Sequence, residues 1–190
     1  MKLVLASASP RRKQLLDLFG LTFDIITADV DERRIDESPA DMTIRLAILK
    51  AQTVYKRVGP DIQVLGGDTT VALGNLVLGK PADREDAMEM LNMLSDKTHS
   101  VFSAVALVRN GGHNSLLSET RVTFRKLSEN DIATYCDSDD PYDKAGGYGI
   151  QGGAGSFVTA LDGSYSGVVG LPLWHTHQLL MMPEDQALKP

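Results

Sequence analysis

A short segment near the N-terminus combines hydroxyl and guanidinium side chains in a position that favours an anion. Residues 7–12, with the sequence SASPRR, follow a short apolar run and precede a helical pattern. At such a junction, free backbone N–H groups and the positive end of the helix dipole point toward a bound anion. Arg11 and Arg12 add planar, bidentate donors, although one of them could instead be a solvated first-turn charge. The segment, which begins at Ser7, predicts a phosphate-binding site.

An acidic side chain is expected at the end of a buried strand. Asp68 and Thr69 follow an apolar run and the pair Gly66-Gly67, whose small size lets a ligand approach closely. Burial of an unpaired carboxylate is costly, so a divalent cation or a catalytic role would explain Asp68; the alternative is an Asx turn that caps the following hairpin. Lys50 and Lys80 are cations that could reach the same place, although each alone could be a surface charge.

A glycine-rich loop, residues 137–155, carries charged, amide and aromatic side chains that include Asp143, Lys144, Tyr148 and Gln151. This composition suits recognition of a nucleotide base better than a flexible linker. Part of the loop matches the dinucleotide pattern G-x-G-x-x-G by spelling, but no buried strand precedes it and no helical pattern follows it. The loop therefore predicts base recognition and not a dinucleotide fold.

Apolar periodicity and breaker residues predict the elements that would position these side chains. The predicted strands are residues 2–6, 62–65, 69–73, 76–78, 98–108, 116–124, 157–161 and 168–169, with a break at Gly66-Gly67. The predicted helices are residues 10–19, 38–59, 83–94, 128–137 and 171–182; Ser9 and Ser128 are candidate N-caps, and Ser38-Pro39 begins the second helix. Helices and strands alternate but the middle of the chain is antiparallel, so we expect an α/β fold with a mixed, partly antiparallel sheet flanked by helices. No repeat or linker divides the chain, which predicts a single domain over residues 1–190.

The composition excludes several classes of protein. The chain has 190 residues, of which 43% are apolar and 23% charged, and this excludes a disordered or disulfide-rich protein. The net charge of −6 argues against a nucleic-acid partner, because binding many phosphates needs a basic face. The single cysteine, Cys136, and the absence of a long apolar run predict a cytoplasmic protein with no membrane association.

Several motifs together resemble the Maf family of nucleoside triphosphate pyrophosphatases, in family order and over nearly the whole chain. They are residues 7–12, 66–69, 79–81, 97–99, 143–152, 163–165 and 168–173. The resemblance implies an inosine-triphosphatase-like fold with two lobes and a cleft, and metal-dependent release of pyrophosphate from a nucleoside triphosphate. It also implies a cytoplasmic protein that can form a homodimer. The chain departs from the usual family pattern at Gly67, Asp96 and Asp140, where alanine, glycine and glutamate respectively are common.

The same resemblance implies roles for individual residues. Asp68 would be the catalytic carboxylate and a ligand of a divalent metal, magnesium or alternatively manganese, with Glu32 as a second acidic ligand. The residues implied around the phosphates are Ser7, Arg12, Lys50 and Lys80. The residues that match the family branch selective for dTTP and UTP are Arg11, Thr69 and Gln151.

The chemistry of Gln151 supports a pyrimidine independently. A glutamine amide offers one donor and one acceptor, which complement a carbonyl and the N3–H of uracil or thymine, whereas guanine presents two adjacent donors. We therefore expect hydrolysis of dTTP or UTP to the monophosphate and pyrophosphate, with modified pyrimidine nucleotides as further candidate substrates. The alternatives are a nucleotide-sensing regulator of cell division without turnover and a phosphatase that removes the terminal phosphate.

Overall fold

The computed structural model describes residues 2–110 and 112–183, and its seven strands belong to one mixed sheet flanked by helices. The strands are β1 (Lys2–Ala6), β2 (Phe23–Ile25), β3 (Ile62–Leu73), β4 (Leu76–Leu78), β5 (Thr98–Arg109), β6 (Gly112–Phe124) and β7 (Val158–Asp162). The helices are α1 (Pro10–Asp17), α2 (Pro39–Val58), α3 (Arg84–Leu94), α4 (Glu129–Cys136), α5 (Tyr165–Val169) and α6 (Leu173–Leu180). The order in the sheet is β2-β1-β3-β5-β6-β7, with β4 paired to β3. The predicted fold class is confirmed.

The sheet is parallel at one side and antiparallel in the middle. β1 pairs in parallel with β2 and β3, whereas β5 and β6 form the predicted long antiparallel pair. β6 begins earlier than the predicted residue 116, and Gly111 of the predicted turn lies outside the described residues. Serine side chains accept hydrogen bonds at the N-termini of α1, α2 and α4, as the capping pattern predicts; they are Ser9, Ser38 and Ser128.

Two predicted elements are wrong. β3 runs unbroken through Gly66-Gly67, because glycine is needed there for close packing and not for a break: a Cβ on Gly66 would lie 2.4 Å from the Ala47 carbonyl oxygen of α2. The predicted strand at 168–169 is the end of helix α5, whose N-cap Ser164 accepts a hydrogen bond from the Gly167 N–H. β-branched residues favour strands only weakly, and the cap decides the local structure.

The apolar core divides the molecule into two lobes. In the first lobe, α2 packs on one face of the sheet around Val64, while α1 and α6 cover the other face around Leu65. In the second lobe, α3, α4 and the segment after α4 pack around Val71 and Phe124. The long strands β3, β5 and β6 contribute to the cores of both lobes.

One edge of β3 is open between the lobes. β1 pairs with residues 62–66 of β3 and β4 pairs with residues 71–73, so neither strand covers residues 67–70. On its other edge β3 pairs with β5 continuously over residues 64–72. The gap between β1 and β4 lets side chains from both faces of β3 reach one cleft.

No helix within residues 2–110 and 112–183 is both long enough and apolar enough to cross a lipid bilayer.

Candidate functional site

A cavity of about 600 Å³ lies at the open edge of β3, between the lobes. This volume is within the range of sites that hold small molecules. The cavity is lined by most of the residues that sequence reasoning had selected, namely Arg11, Arg12, Glu32, Lys50, Asp68, Thr69, Lys80 and Gln151. Ser7 does not line the cavity and is buried behind it. The fold thus brings together residues that are up to 140 positions apart in the chain.

Asp68 is the most buried carboxylate of the cavity, and it is paired. Its Oδ1 lies 2.7 Å from Lys50 Nζ, and both side chains are about one tenth exposed, at 9% and 12%. The same Nζ lies 2.8 Å from Glu32 Oε1, on the segment that precedes α2. Asp68 stands in the middle of β3 and not at the end of a strand, so the expected position was wrong, whereas Lys50 does reach the carboxylate as the sequence allowed.

Arg12 of α1 lies on the face of β3 opposite to the Asp68 side chain. It contacts Thr69, the neighbour of Asp68, and neighbouring residues of a strand point to opposite sides. Its guanidinium donates to the Gly170 carbonyl, to Ser7 Oγ and to Thr69 Oγ1, at 2.8, 3.3 and 3.1 Å. Burial lowers the pKa of Arg12 and the nearby Asp68 carboxylate opposes this shift, but an arginine stays cationic at neutral pH. Ser7 and Thr69 therefore hold the guanidinium in place.

Arg11 reaches across the cleft to the second lobe. Its Nη1 lies 2.8 Å from Asp143 Oδ2 in the glycine-rich loop. Burial acts to raise the pKa of Asp143, but hydrogen bonds from Lys144 and Arg11 outweigh it and hold the pKa below its ordinary value. Asp143 is therefore an anion that connects the start of α1 to this loop.

The cations of the cavity divide into paired and unpaired ones. Lys50, Arg11 and Lys144 each form ion pairs with carboxylates of the cavity. Arg12 and Lys80 form no ion pair with any residue of the described ranges 2–110 and 112–183. Lys80 is exposed, and its position is set by the Gly146 N–H, which donates to the Gly79 carbonyl at 2.8 Å. Two positive charges are therefore available to an anionic ligand.

The oxygen donors of the cavity fit one mode of metal binding. No group of three or more histidine, cysteine or acidic side chains suited to a metal occurs in the part of the chain that the structure describes. Asp68 of β3 and Glu32 of the segment before α2, however, both lie against the same Lys50 ammonium, at 2.7 and 2.8 Å. Magnesium bound together with a nucleotide commonly takes one or two carboxylates, substrate phosphates and water. The two carboxylates fit that mode.

Comparison with known proteins identifies the chain. Residues 2–182 match the family of Maf-like proteins. This chain belongs to the Maf family. Among curated relatives of this Maf-family chain, the "dTTP/UTP pyrophosphatase" of Hahella chejuensis is 51% identical over 94% of this chain and 90% of the relative. The protein with the same name from Escherichia coli is 49% identical over 94% of this chain and 91% of the relative. Among solved structures, a HAM1 protein from Coxiella burnetii matches with a TM-score of 0.48 and 19% identity, over 65% of this chain and 73% of that chain.

In this Maf-family chain, Gln151 is exposed at the rim of the cavity. Its side-chain amide forms no hydrogen bond with the residues that the structure describes. The amide is therefore not used to hold its own loop.

Sequence reasoning gave no role to the polar residues that support the cavity. His99 of β5 is buried and lies 2.8 Å, Nε2 to Oη, from Tyr148, which lines the cavity. Burial lowers the pKa of His99 to about 4, so the imidazole is neutral at physiological pH. Tyr135 of α4 contacts the glycine-rich loop through its hydroxyl. A tyrosine at helical spacing indicates only a core position, so no local signal revealed this contact.

Proposed function

We propose that this Maf-family chain hydrolyses dTTP and UTP to the nucleoside monophosphate and pyrophosphate. The observation that carries the proposal is the cavity itself, which the cations Arg12 and Lys80, without ion pairs among the described residues, line together with the buried Asp68–Lys50 pair. A triphosphate is the ligand that such a set of charges accommodates. The curated relatives with nearly half or more of their residues identical carry the name of this activity.

The reaction is the attack of water on the α-phosphorus. A bond forms between the water oxygen and the α-phosphorus, the bond to the oxygen that bridges the α- and β-phosphates breaks, and pyrophosphate leaves with that oxygen. Asp68 accepts the proton of the water, as its position in the cavity wall allows. Arg12, Lys50 and Lys80 balance the charge that develops on the phosphate oxygens. Ser7 acts indirectly, because its hydroxyl accepts a hydrogen bond from Arg12.

A divalent cation, magnesium or manganese, would be held by Asp68 and Glu32. When bound it would neutralise phosphate charge and lower the pKa of a water molecule. Lys50 lies between the two carboxylates and keeps them together without the cation. Asp68 can serve as a base and as a ligand, since a carboxylate has two oxygens.

Base selection is assigned to Gln151 and Arg11, at the mouth of the glycine-rich loop. The free amide of Gln151 would pair with the N3–H and a carbonyl of uracil or thymine. Thr69 contributes indirectly, because its hydroxyl is already engaged with Arg12 and with Ser103. Modified pyrimidine nucleotides that keep the same hydrogen-bonding edge would also be substrates.

The decisive experiment identifies the products. Micromolar protein is incubated with an excess of dTTP and magnesium, and the products are separated by chromatography. We expect dTMP and pyrophosphate in catalytic amounts, and Asp68→Asn should reduce this turnover at least a hundredfold, as loss of a general base typically does. Products dTDP and orthophosphate would indicate a terminal phosphatase, and stoichiometric binding without turnover would indicate a nucleotide sensor.

Three further expectations remain predictions for this chain. Size-exclusion chromatography with light scattering tests the homodimer. Gel-shift and vesicle sedimentation assays test the expected absence of nucleic-acid and membrane binding. Fluorescence microscopy of a tagged chain in cells tests the cytoplasmic location.

A further inference from the structure

The hydroxyl of Tyr135 connects helix α4 to the glycine-rich loop. It donates to Asp140 Oδ2 at 2.7 Å and accepts from the backbone N–H of Gly149 at 3.1 Å. The ring is buried against Phe157, with centroids 5.4 Å apart, so the hydroxyl has a fixed position. Gly149 is two residues before Gln151, and the contact therefore holds one end of the segment that carries the amide.

Asp140 holds the other end of that segment. A Cβ on Gly152 would lie 2.3 Å from Asp140 Oδ2, which means that the carboxylate occupies the space beside the Gly152 Cα and packs against its backbone. A Cβ on Gly149 would lie 2.6 Å from Lys144 Cε, so the lysine stem rests on Gly149 in the same way. Neither glycine has a positive φ, so both are needed for space and not for backbone conformation. The two glycines flank Gln151, and the Asp140–Lys144 pair supports both of them.

Lys144 joins this support to the rest of the cavity. Its ammonium lies 3.0 Å from Asp140 Oδ1, and it also contacts Asp143, which pairs with Arg11. A connected set of hydrogen bonds and ion pairs therefore runs from Tyr135 through Asp140, Lys144 and Asp143 to Arg11. It ends at Arg11, and on the way it contacts the backbone on both sides of Gln151, the other residue to which base selection is assigned.

We propose that Tyr135 and Asp140 are positioning residues that set nucleotide selectivity by fixing the backbone on both sides of Gln151. Their effect is on where the amide stands and not on the attack at phosphorus: Asp140 also lines the cavity, but among the described residues neither side chain bonds to Asp68 or Lys50. The inference rests on the proposed hydrolysis of dTTP and UTP. Tyr135 needs its hydroxyl for this role, since the ring alone would only fill the core.

Tyr135→Phe tests the inference, because it keeps the ring against Phe157 and removes only the hydroxyl. The matched control is Tyr142→Phe, which removes a hydroxyl that donates to the Cys136 carbonyl at 2.6 Å in the same loop. Values of kcat and KM are measured for dTTP and GTP by pyrophosphate release. A hydrogen bond to a charged group is worth about tenfold in an equilibrium constant, which sets the expected size of the change.

The expected result separates positioning from a general structural role. Tyr135→Phe should raise KM for dTTP about tenfold with kcat little changed, because the lost contact serves ground state and transition state equally. The ratio of kcat/KM for dTTP to that for GTP should fall, and Tyr142→Phe should leave it unchanged. In a Gln151→Ala background, Tyr135→Phe should change this ratio no further, since its effect passes through Gln151.

Several results would overturn the inference. They are an unchanged KM and ratio in Tyr135→Phe, an equal loss of kcat for both nucleotides, or a full additional effect in the Gln151→Ala background. If Tyr135→Phe does not fold, Asp140→Asn takes its place, because it keeps the volume and removes the charge that holds Lys144; it should raise KM in the same way.

Failure of the proposed function is distinguished by the wild-type chain. If the wild type releases no pyrophosphate from dTTP, the proposed hydrolysis is wrong, and dissociation constants of dTTP and GTP measured by calorimetry replace the kinetic values. Weaker binding of dTTP by Tyr135→Phe, but not by Tyr142→Phe, would then support the positioning role. Equal binding by both variants would refute it.

Discussion

Replacing Lys50 by methionine removes the ammonium that joins Asp68 to Glu32 while keeping most of the aliphatic stem in α2. The variant leaves a carboxylate of 9% exposure without its partner. The main consequence concerns stability, because a buried charge that loses its partner keeps its desolvation cost and loses the attraction that offset it. The free energy of unfolding of Lys50→Met should therefore fall even in the absence of nucleotide.

The magnitude follows from the exposure of each pair. Breaking a buried ion pair costs about 3–5 kcal/mol, and the Lys50–Asp68 pair is buried on both sides. Glu32 is 58% exposed and its pair with Lys50 contributes at most about 1 kcal/mol. We expect Lys50→Met to lower the free energy of unfolding by about 3–6 kcal/mol in total.

The assay is urea unfolding followed by circular dichroism, with Lys13→Met as the matched control. Lys13 and Asp17 form a pair of similar length, 2.6 Å, but with side chains 50% and 44% exposed. Such an exposed pair four residues apart on a helix is worth about 0.3–0.5 kcal/mol. At about 1 M salt, where the Debye length is about 3 Å, the effect of Lys13→Met should vanish and that of Lys50→Met should remain. Equal destabilisation by the two variants would refute the reasoning.

Three further predictions concern other parts of the fold. Because burial lowers the pKa of His99 to about 4, the folded chain binds fewer protons than the unfolded one below the ordinary histidine pKa. The contribution of neutral His99 to the free energy of unfolding is complete above about pH 6.5 and is lost as the pH falls toward about 4. The free energy of unfolding, measured with urea, should therefore fall by about 2 kcal/mol between pH 7.5 and pH 5 because of His99. The pH profile of His99→Phe should be flatter, and an equal slope would contradict the assignment. Asp96 has a φ of 59°, which glycine adopts without strain, so Asp96→Gly should raise the melting temperature by about 1–3 °C in a calorimetric scan. A lower melting temperature would count against strain at Asp96. Gln151→Glu should lower kcat/KM for dTTP by about 1–3 kcal/mol and that for GTP by less, since a carboxylate repels the pyrimidine carbonyl; an unchanged ratio would remove Gln151 from base selection.

The sequence predicted elements well where a local signal determines them. Serine caps predict the starts of α1 and α2, and the hairpin around Gly74 joins β3 to β4 as expected. The prediction failed at Gly66, because the reason for that glycine is the close approach of Ala47 in α2, a tertiary contact that no local pattern reveals. Asp96 itself gives no local signal of its left-handed φ of 59°, although that value accords with the glycine that is common there in the family.

Prediction of the site also succeeded for residues with a local signal and failed for residues that depend on tertiary contacts. The side chains that bear charge toward the cavity were selected from their types and from the family motifs, and Lys50 does reach Asp68. The residues that support them were missed, because Tyr135 meets Gly149 only after α4 has packed on the loop. Residues that touch a ligand carry chemical signals in a sequence, whereas residues that hold others in place depend on tertiary contacts.

The passage of β3, β5 and β6 through both cores has a mechanical consequence. Two lobes joined by a flexible linker can swing apart, but lobes that share three paired strands can separate only if the common sheet twists, which would strain many backbone hydrogen bonds at once. The parts of the cavity wall outside this sheet are the segment before α2 and the glycine-rich loop, which can adjust around a nucleotide without twisting the sheet. The stiffness of the shared sheet thus sets the distance between the two lobes before any ligand binds.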